Sequence, residues 1–171
     1  GIYLWDSDNN VITGNNISNN RHGIYLSYSD NNVIKDNVFV NNGLFVWSAY
    51  GNDVEGNMVN GKPLVYLEDT SDITITNAGQ VILVNCTNIT VANLELTGTD
   101  VGIELWETRN STITGNNISN NNDDGIYLRY SDNNVITGNN ISNNRYGIYL
   151  WDSDNNVITG NNISNNRHGI Y

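Results

Sequence analysis

Apolar side chains recur along the chain with a period of about 22 residues. The recurring block reads GIYL or a close variant. It begins at Ile2, Ile24, Leu44, Val65, Val81, Ile103, Ile126, Ile148 and Ile170, with spacings of 22, 20, 21, 16, 22, 23, 22 and 22 residues. Residues 1–25 and 147–171 are identical. A repeat of this length is typical of solenoids, propellers and related arrays.

Within each repeat, apolar and polar residues alternate over three short stretches. Tyr25 separates Ile24 from Leu26, and comparable stretches surround Val33 and Val38. Alternation with a period of two over a few residues predicts a β-strand. Helical stripes and the LxxLxLxxN pattern of leucine-rich repeats are both absent. Three short strands per ~22 residues predict an all-β fold, a parallel β-helix of about eight coils.

Stacked coils place equivalent residues about 4.8 Å apart, so inward residues form columns. Two inward columns come from the GIYL block, through Ile24 and Leu26 and their equivalents. A third contains Ile12, Ile34, Val54, Ile73, Ile89, Ile113, Ile136 and Ile158. A fourth contains Ile17, Phe39, Val59, Ala78, Leu94, Ile118, Ile141 and Ile163. We expect one β-helix domain over 1–171, with regular coils at 1–60, shorter irregular coils at 61–100 and regular coils at 101–171.

Asn supplies 36 of the 171 residues, and we expect most of it to be structural. Asn10, Asn15 and Asn20 fall at the predicted bends, and their equivalents recur in the next coil. An Asn side chain carries both donors and an acceptor and tolerates a left-handed backbone. Stacked Asn side chains also bond to one another. Amide ladders along the bends are therefore predicted.

Two outward columns of the GIYL strand are rich in aromatic side chains. They contain Tyr3, Trp5, Tyr25, Phe45, Trp47, Tyr66, Trp106, Tyr127, Tyr149 and Trp151. Aromatic pairs stabilise a sheet, which is the interpretation we favour. An exposed apolar face also suits a protein partner, and a flat aromatic face suits the sugar rings of a polysaccharide.

An acidic group, Glu68, Glu104 and Glu107, falls on the same face. Paired carboxylates perform glycoside hydrolysis, and several together hold Ca²⁺. No motif supports either role, and Arg109 is the only basic residue nearby in sequence. We therefore expect solvated carboxylates, assign no catalytic residue and lean against an enzyme.

Seven N-x-S/T sequons are possible glycosylation sites, although the repeat itself generates NIS. Few are expected to be occupied. They lie at Asn16, Asn85, Asn88, Asn110, Asn117, Asn140 and Asn162.

The bulk composition excludes several functions. A formal net charge of −11 and a pI of about 4.2 argue against nucleic acid as a partner. No apolar run approaches the ~18 residues of a membrane span. The lone Cys86 allows no intrachain disulfide.

The pattern NNxIxxNxIxxN followed by GIYL, together with NGKPLVYLEDTSDITITNAGQVILVNCTNITVANLELTGTD, resembles the NosD-type right-handed parallel β-helix. This group is also called the carbohydrate-binding and sugar-hydrolase repeat and is abundant in archaeal surface proteins. The resemblance covers essentially the whole chain. It implies the fold more than a function, because the fold hosts lyases, hydrolases, adhesins and periplasmic accessory proteins.

The resemblance also implies an association with copper. His22 and His168 are about seven coils apart by count, and the chain has one Met and one Cys. Copper favours clustered soft ligands, so we expect no metal site and no cofactor.

These features predict a structural or interaction module of an extracellular or cell-surface protein or filament. Neither end has the polar capping coil that solenoids normally carry, so both ends are expected to be uncapped. Bare β edges pair with other strands, either head to tail with another copy or with neighbouring coils of a longer chain. The alternative is a carbohydrate-binding module, or a sugar hydrolase or lyase, that uses the aromatic face.

Overall fold

The computed structural model describes residues 1–171, which form short β-strands and no helix. The first nine strands are β1 (Ile2–Trp5), β2 (Val11–Thr13), β3 (Asn16–Ser18), β4 (Ile24–Ser27), β5 (Val33–Lys35), β6 (Val38–Val40), β7 (Leu44–Trp47), β8 (Asp53–Glu55) and β9 (Met58–Val59). The next eight are β10 (Lys62–Glu68), β11 (Thr74–Ile75), β12 (Gln80–Val84), β13 (Thr90–Ala92), β14 (Glu95–Thr97), β15 (Ile103–Trp106), β16 (Thr112–Thr114) and β17 (Asn117–Ser119). The last seven are β18 (Asp124–Arg129), β19 (Val135–Thr137), β20 (Asn140–Ser142), β21 (Tyr146–Trp151), β22 (Val157–Thr159), β23 (Asn162–Ser164) and β24 (His168–Ile170). None of these elements is a helix that could span a membrane.

Strands of successive coils pair in parallel, in two groups. In the N-terminal stack (residues 1–60), β1, β2 and β3 pair with β4, β5 and β6, which pair with β7, β8 and β9. In the C-terminal stack (residues 62–171), parallel pairing runs coil by coil from β10 to β24. The fold class predicted from the repeat, a parallel β-helix of about eight coils, is confirmed.

The predicted GIYL columns are in register within each stack. Tyr3, Tyr25 and Phe45 are aligned in the N-terminal stack. Tyr127 is aligned with Tyr149 in the C-terminal stack. The inward neighbours of these residues form the two apolar cores, one in each stack.

The third and fourth columns differ from the sequence expectation in the middle of the chain. Val91, not Ile89, is aligned with Ile113. Leu96 rather than Leu94 is aligned with Ile118 in the same way. A shift of two residues keeps every side chain on the same face, so alternation alone does not distinguish the two registers.

The chain reverses direction between the stacks, and the predicted alignment of Leu44 with Val65 is wrong. Lys62 pairs antiparallel with Val59, so β9 and β10 form a hairpin. Its two turn residues, Asn60 and Gly61, have φ of 50° and 80°. Two successive positive φ angles are the requirement of the type I′ hairpin turn, for which Asn-Gly is the preferred sequence.

The reversal lays the edge strand β7 against the outward face of the C-terminal stack. The Gln80 side chain pairs with Leu44 as a strand would: its Oε1 accepts from the Leu44 N–H at 3.0 Å, and its Nε2 donates to the Leu44 carbonyl at 2.7 Å. Ile82, Val84 and Trp106 point outward from the C-terminal stack and belong to the core of the N-terminal stack. The seam between the stacks is thus both apolar and hydrogen-bonded.

The bends repeat one local device throughout both stacks. Asn9 and Gly14 take left-handed φ of 58° and 68°, a conformation that Asn and Gly tolerate. The next residue begins an amide ladder: the Asn10 N–H donates to Asn32 Oδ1 at 2.8 Å, and the Asn32 N–H to Asn52 Oδ1 at 2.9 Å. The expected ladders are present, but the left-handed residue is the one before each ladder Asn.

Candidate functional site

The aromatic columns of the two stacks face each other across a cleft. Near its closed end, the Phe45 and Tyr127 ring centres are 5.9 Å apart and those of Trp47 and Tyr127 are 6.5 Å apart. Tyr127 is 2% exposed, whereas Tyr3, far from the closed end, is 59% exposed. Much of the face that the sequence offers for a partner is therefore covered by the chain itself.

The Arg129 side chain lies among aromatic rings of both stacks at the closed end of the cleft. Its guanidinium carbon lies 3.5 Å from the Trp47 ring centre, 4.4 Å from that of Trp106 and 5.6 Å from that of Trp151. The residue is 6% exposed. Attraction between a cation and an aromatic face is strongest when the cation is desolvated. This part of the aromatic face therefore already holds a cation, and it joins the stacks.

The acidic group is distributed along the seam. Glu68, Glu104 and Glu107 each accept a hydrogen bond from the third coil of the N-terminal stack. The donors are, in the same order, the N–H of Gly51 at 2.7 Å, the N–H of Val46 at 3.3 Å and the hydroxyl of Tyr50 at 3.0 Å. Glu104 is fully buried, and burial raises its pKa well above the usual range. The expectation of solvated carboxylates is therefore wrong for Glu104, because the N-terminal stack covers it. All three carboxylates accept hydrogen bonds between the stacks.

His22 lies between two carboxylates farther along the seam. Its Nδ1 is 3.6 Å from Asp100 Oδ2, and its Nε2 is 3.6 Å from Asp123 Oδ2. Asp100 is fully buried and also accepts from the N–H groups of Gly23 and Gly43, both at 3.2 Å. Burial raises the pKa of Asp100, and its interactions with His22 and the two N–H groups oppose that rise.

Beside His22 the cleft opens into a pocket of about 320 Å³. Its walls combine aromatic and charged side chains from both stacks: Arg21, His22, Tyr25, Phe45, Asp123, Asp124, Arg145, Tyr146 and Tyr149. The Tyr146 and Tyr149 rings are stacked at 5.1 Å, and the Arg145 guanidinium lies 5.2 Å from the Tyr146 ring centre. Burial raises the pKa of Asp124 to about 7. Tyr149 also stacks on Tyr127 at 5.3 Å, and Tyr146 stacks on His168 at 4.8 Å, so the pocket offers partly exposed aromatic rings next to cations.

A wholly polar groove of about 720 Å³ continues from this pocket. It is lined by Asn19, Asn20, Arg21, Asn41, Asn122, Asp123, Arg145 and Arg167. Asp123 Oδ1 lies 3.4 Å from Arg21 and 3.3 Å from Arg145, so one carboxylate holds guanidinium groups from both stacks. The Asn122 amide donates to the Arg21 carbonyl at 3.0 Å.

The remaining candidates occupy separate places. Trp5 and Trp151 are exposed, and Tyr66 donates to Glu68 Oε2 at 2.7 Å. The seven sequon asparagines are all exposed on the surface. Three of them, Asn117, Asn140 and Asn162, form an outward ladder with amide hydrogen bonds of 3.0 Å.

The side chains do not fit the copper site that the resemblance implies. The reversal brings His22 to the bend that ends at Asp124. Asp124 pairs with Tyr146, which pairs with His168, so His22 lies about two coils from His168. The expected separation of seven coils is wrong. Cys86 is buried, and burial raises the pKa of its thiol, whereas a metal requires the thiolate. No group of three or more His, Cys, Asp or Glu side chains is arranged to hold a metal ion.

The arginines of the groove were not among the sequence candidates. The signal was present: Arg21, Arg145 and Arg167 occupy the same position of the repeat, just before GIY. A second signal was the spacing of 23 residues between Ile103 and Ile126, where one extra residue extends the bend that carries Asn122 and Asp123. Only the reversal places Arg21 opposite that bend.

A family model described as periplasmic copper-binding protein (NosD) matches residues 1–79 and residues 40–171. No curated protein matches the chain. Among solved structures, the crystal structure of a mutant of the periplasmic alginate epimerase AlgG is similar, at 22% identity and a TM-score of 0.46 over 86% of this chain and 34% of that one. The chain thus spans about a third of the length of that structure. Because the two family matches together cover all its residues, the chain belongs to the NosD family.

Proposed function

We propose that the chain is an interaction module of an extracellular or periplasmic protein, extended by the stacking of a further coil on its last coil. The proposal rests on two identical segments of the chain that have different neighbouring strands in the structure. Residues 1–22 and 147–168 are identical. Strands β2 and β3 of the first copy pair with β5 and β6, whereas β22 and β23 of the second copy are edge strands. The same residues therefore accept a coil in one place and present a free edge in the other.

The location in this proposal follows from the family. Its description names a periplasmic protein. A β-helix whose last strands pair with a further coil suits a surface protein or filament, because head-to-tail contacts that do not close produce fibres.

The register adds a specific condition. In the N-terminal stack, Ile2 pairs with Ile24, and in the last coil of the C-terminal stack, Ile148 already pairs with Ile170. If Ile2 of a second copy paired with Ile148, it would occupy the position that Ile170 holds in this chain. Residues 169–171 must give way before the first coil of another copy docks.

Deletion of residues 169–171 tests the proposal. We expect the shortened chain to form oligomers or rods at concentrations where the full chain does not, as seen by light scattering and negative-stain electron microscopy. The matched control adds Ile158→Lys. Ile158 is only partly buried at the end of the core, so the charge faces the docking surface with little cost to the coil. A shortened chain that stays monomeric at high concentration would refute stacking.

A second candidate function, carbohydrate binding, is favoured by the aromatic pocket of the cleft. Tyr25, Phe45 and Tyr149 line it together with polar groups. Most ligand sites combine apolar walls with a few polar groups that fix orientation. We expect Tyr149→Ala to weaken oligosaccharide binding in calorimetry, and Tyr28→Ala, a change of an exposed tyrosine outside this pocket, to leave it unchanged. Equal loss in both variants, or no binding to a glycan array, would contradict this function.

A further inference from the structure

One groove of this acidic chain is lined by several cationic residues. The chain has a formal net charge of −11 and only seven Lys and Arg. Three of the seven, Arg21, Arg145 and Arg167, line the polar groove between the stacks. The groove contains one carboxylate, that of Asp123, so it is positive within a negative molecule.

The arginines are arranged along a line. Asp124, Tyr146 and His168 are paired in neighbouring strands, so Asp123, Arg145 and Arg167, each one residue earlier, lie on successive coils. Like charges one strand apart repel each other. Asp123 pairs with Arg145 and, across the groove, with Arg21, while Arg167 makes no ion pair. A bound anion would relieve the repulsion between Arg145 and Arg167.

The chemistry of the lining indicates the kind of anion. A guanidinium group binds a carboxylate with two parallel hydrogen bonds. Asn41 Nδ2 donates to Asn19 Oδ1 and Asn122 Nδ2 to the Arg21 carbonyl, which leaves Asn19 Nδ2 as a donor and the side-chain oxygens of Asn41 and Asn122 as acceptors for hydroxyl groups. Arg21, Asp123 and Arg145 also line the aromatic pocket, so the polar groove and the aromatic wall of that pocket are continuous.

We propose that the groove binds an acidic oligosaccharide, with carboxylates on Arg145 and Arg167 and the sugar against the partly exposed rings of Tyr146 and Tyr149. This inference rests on the carbohydrate-binding function proposed above and specifies its ligand class. Nucleic acid is a poorer match, because its affinity depends on many phosphate contacts and the rest of the chain is acidic.

Calorimetry on the full chain tests the inference with three probes: hexagalacturonate, its neutral methyl ester and inorganic sulfate. We expect hexagalacturonate to bind at least about 10-fold more tightly than the methyl ester, which corresponds to ~1.4 kcal/mol. Its affinity is expected to fall as salt concentration rises, because charge pairing at an exposed groove is screened.

Variants locate the site. Arg145→Ala with Arg167→Ala is expected to weaken hexagalacturonate binding by about 10-fold or more. Arg145→Lys is expected to recover only part of the affinity, because lysine lacks the planar fork. Arg109→Ala is the matched control, since Arg109 is exposed and lies outside the groove. All three positions are on the surface, so circular dichroism spectra should be unchanged.

The outcomes separate the two proposals. Equal affinity for hexagalacturonate and its methyl ester would leave carbohydrate binding standing and overturn the acidic ligand. Sulfate binding as tight as that of hexagalacturonate would overturn the oligosaccharide in favour of a simple anion. Equal loss in the Arg109 control would overturn the groove as the site, and no binding by either oligosaccharide would overturn both proposals.

Discussion

At the scale of single residues, two buried carboxyl groups oppose the stability of the seam at neutral pH. Asp124 Oδ1 and Glu104 Oε1 are buried without a hydrogen-bond partner. Their pKa values are raised because burial disfavours the charged form. The folded chain therefore binds protons that the unfolded chain releases.

This linkage predicts that the protein is more stable in mild acid than in mild base. Burial raises the pKa of Asp124 from 3.8 to about 7. Its contribution is fully present below about pH 4 and is lost as the pH rises through about 7, and the loss is at most ~4 kcal/mol. Asp124→Asn should remove much of this dependence. Urea unfolding from pH 4.5 to 8.5 measures it, and parallel curves for the two proteins would contradict the assignment.

The ladder asparagines are the residues whose loss should cost most for their size. Asn139 Oδ1 accepts from the N–H and the amide of Asn116, both at 2.9 Å, and its Nδ2 donates to the Ile113 carbonyl at 2.9 Å. Asn139→Ala leaves these buried groups without partners, at roughly 1–3 kcal/mol for each group.

Chemical denaturation of Asn139→Ala measures this cost. Asn77→Ala is the control, because Asn77 is exposed and its side chain makes no hydrogen bond. Equal unfolding free energies for the two variants would show that the ladder does not stabilise the coil.

At the scale of elements, the β9–β10 hairpin decides how the coils are arranged. Gly61 has a φ of 80°, and nothing lies within 4 Å of the position that a Cβ atom would take. Glycine is therefore favoured there because of the backbone conformation, and not because a side chain would clash. Gly61→Ala should destabilise the protein by about 1 kcal/mol or more, since left-handed backbone disfavours a Cβ atom. Gly61→Asn should cost less, because Asn tolerates this conformation. Thermal unfolding of both variants tests the difference, and an equal cost would argue against the type I′ turn.

The contact between β7 and the Gln80 side chain also determines how the two stacks pack. A Cβ atom at Gly43 would lie 2.2 Å from Gln80 Oε1 and 2.3 Å from the Thr99 hydroxyl. Gly43→Ala should therefore displace the Gln80 side chain from Leu44 and loosen the seam. Gly169→Ala is the matched control, since nothing lies within 4 Å of that position. Hydrogen exchange at the Leu44 N–H should accelerate in the first variant only, and unchanged protection would contradict this role for Gly43.

At the scale of the whole molecule, folding the N-terminal stack back creates the cleft and hides an apolar face. Ile82, Val84 and Tyr127 point outward from the C-terminal stack, and each is at most 2% exposed because the N-terminal stack covers it. A straight stack of eight coils would leave this surface bare. Contiguous exposed apolar surface of that kind is a site of association.

A chain of residues 62–171 alone should therefore associate or bind a hydrophobic dye such as ANS, whereas the full chain should not. Adding Ile82→Lys and Val84→Lys to this fragment should reverse the effect, since both side chains face outward once the N-terminal stack is removed. Size-exclusion chromatography and dye fluorescence measure the difference. A soluble, dye-free fragment without the added charges would show that the seam is not needed to cover this face.

The sequence by itself determined the coil, because alternation, bend asparagines and the 22-residue period are local properties that repeat. It therefore predicted the parallel β-helix, the GIYL columns and the amide ladders. The arrangement of the coils was decided by the tertiary structure. Asn-Gly occurs at both 42–43 and 60–61, yet the hairpin turn forms only at Asn60–Gly61, followed by Lys62 and Pro63. The seam carboxylates and groove arginines are far apart in sequence. Only packing one stack against the other brings them together, because their partners lie across the seam and not along the repeat.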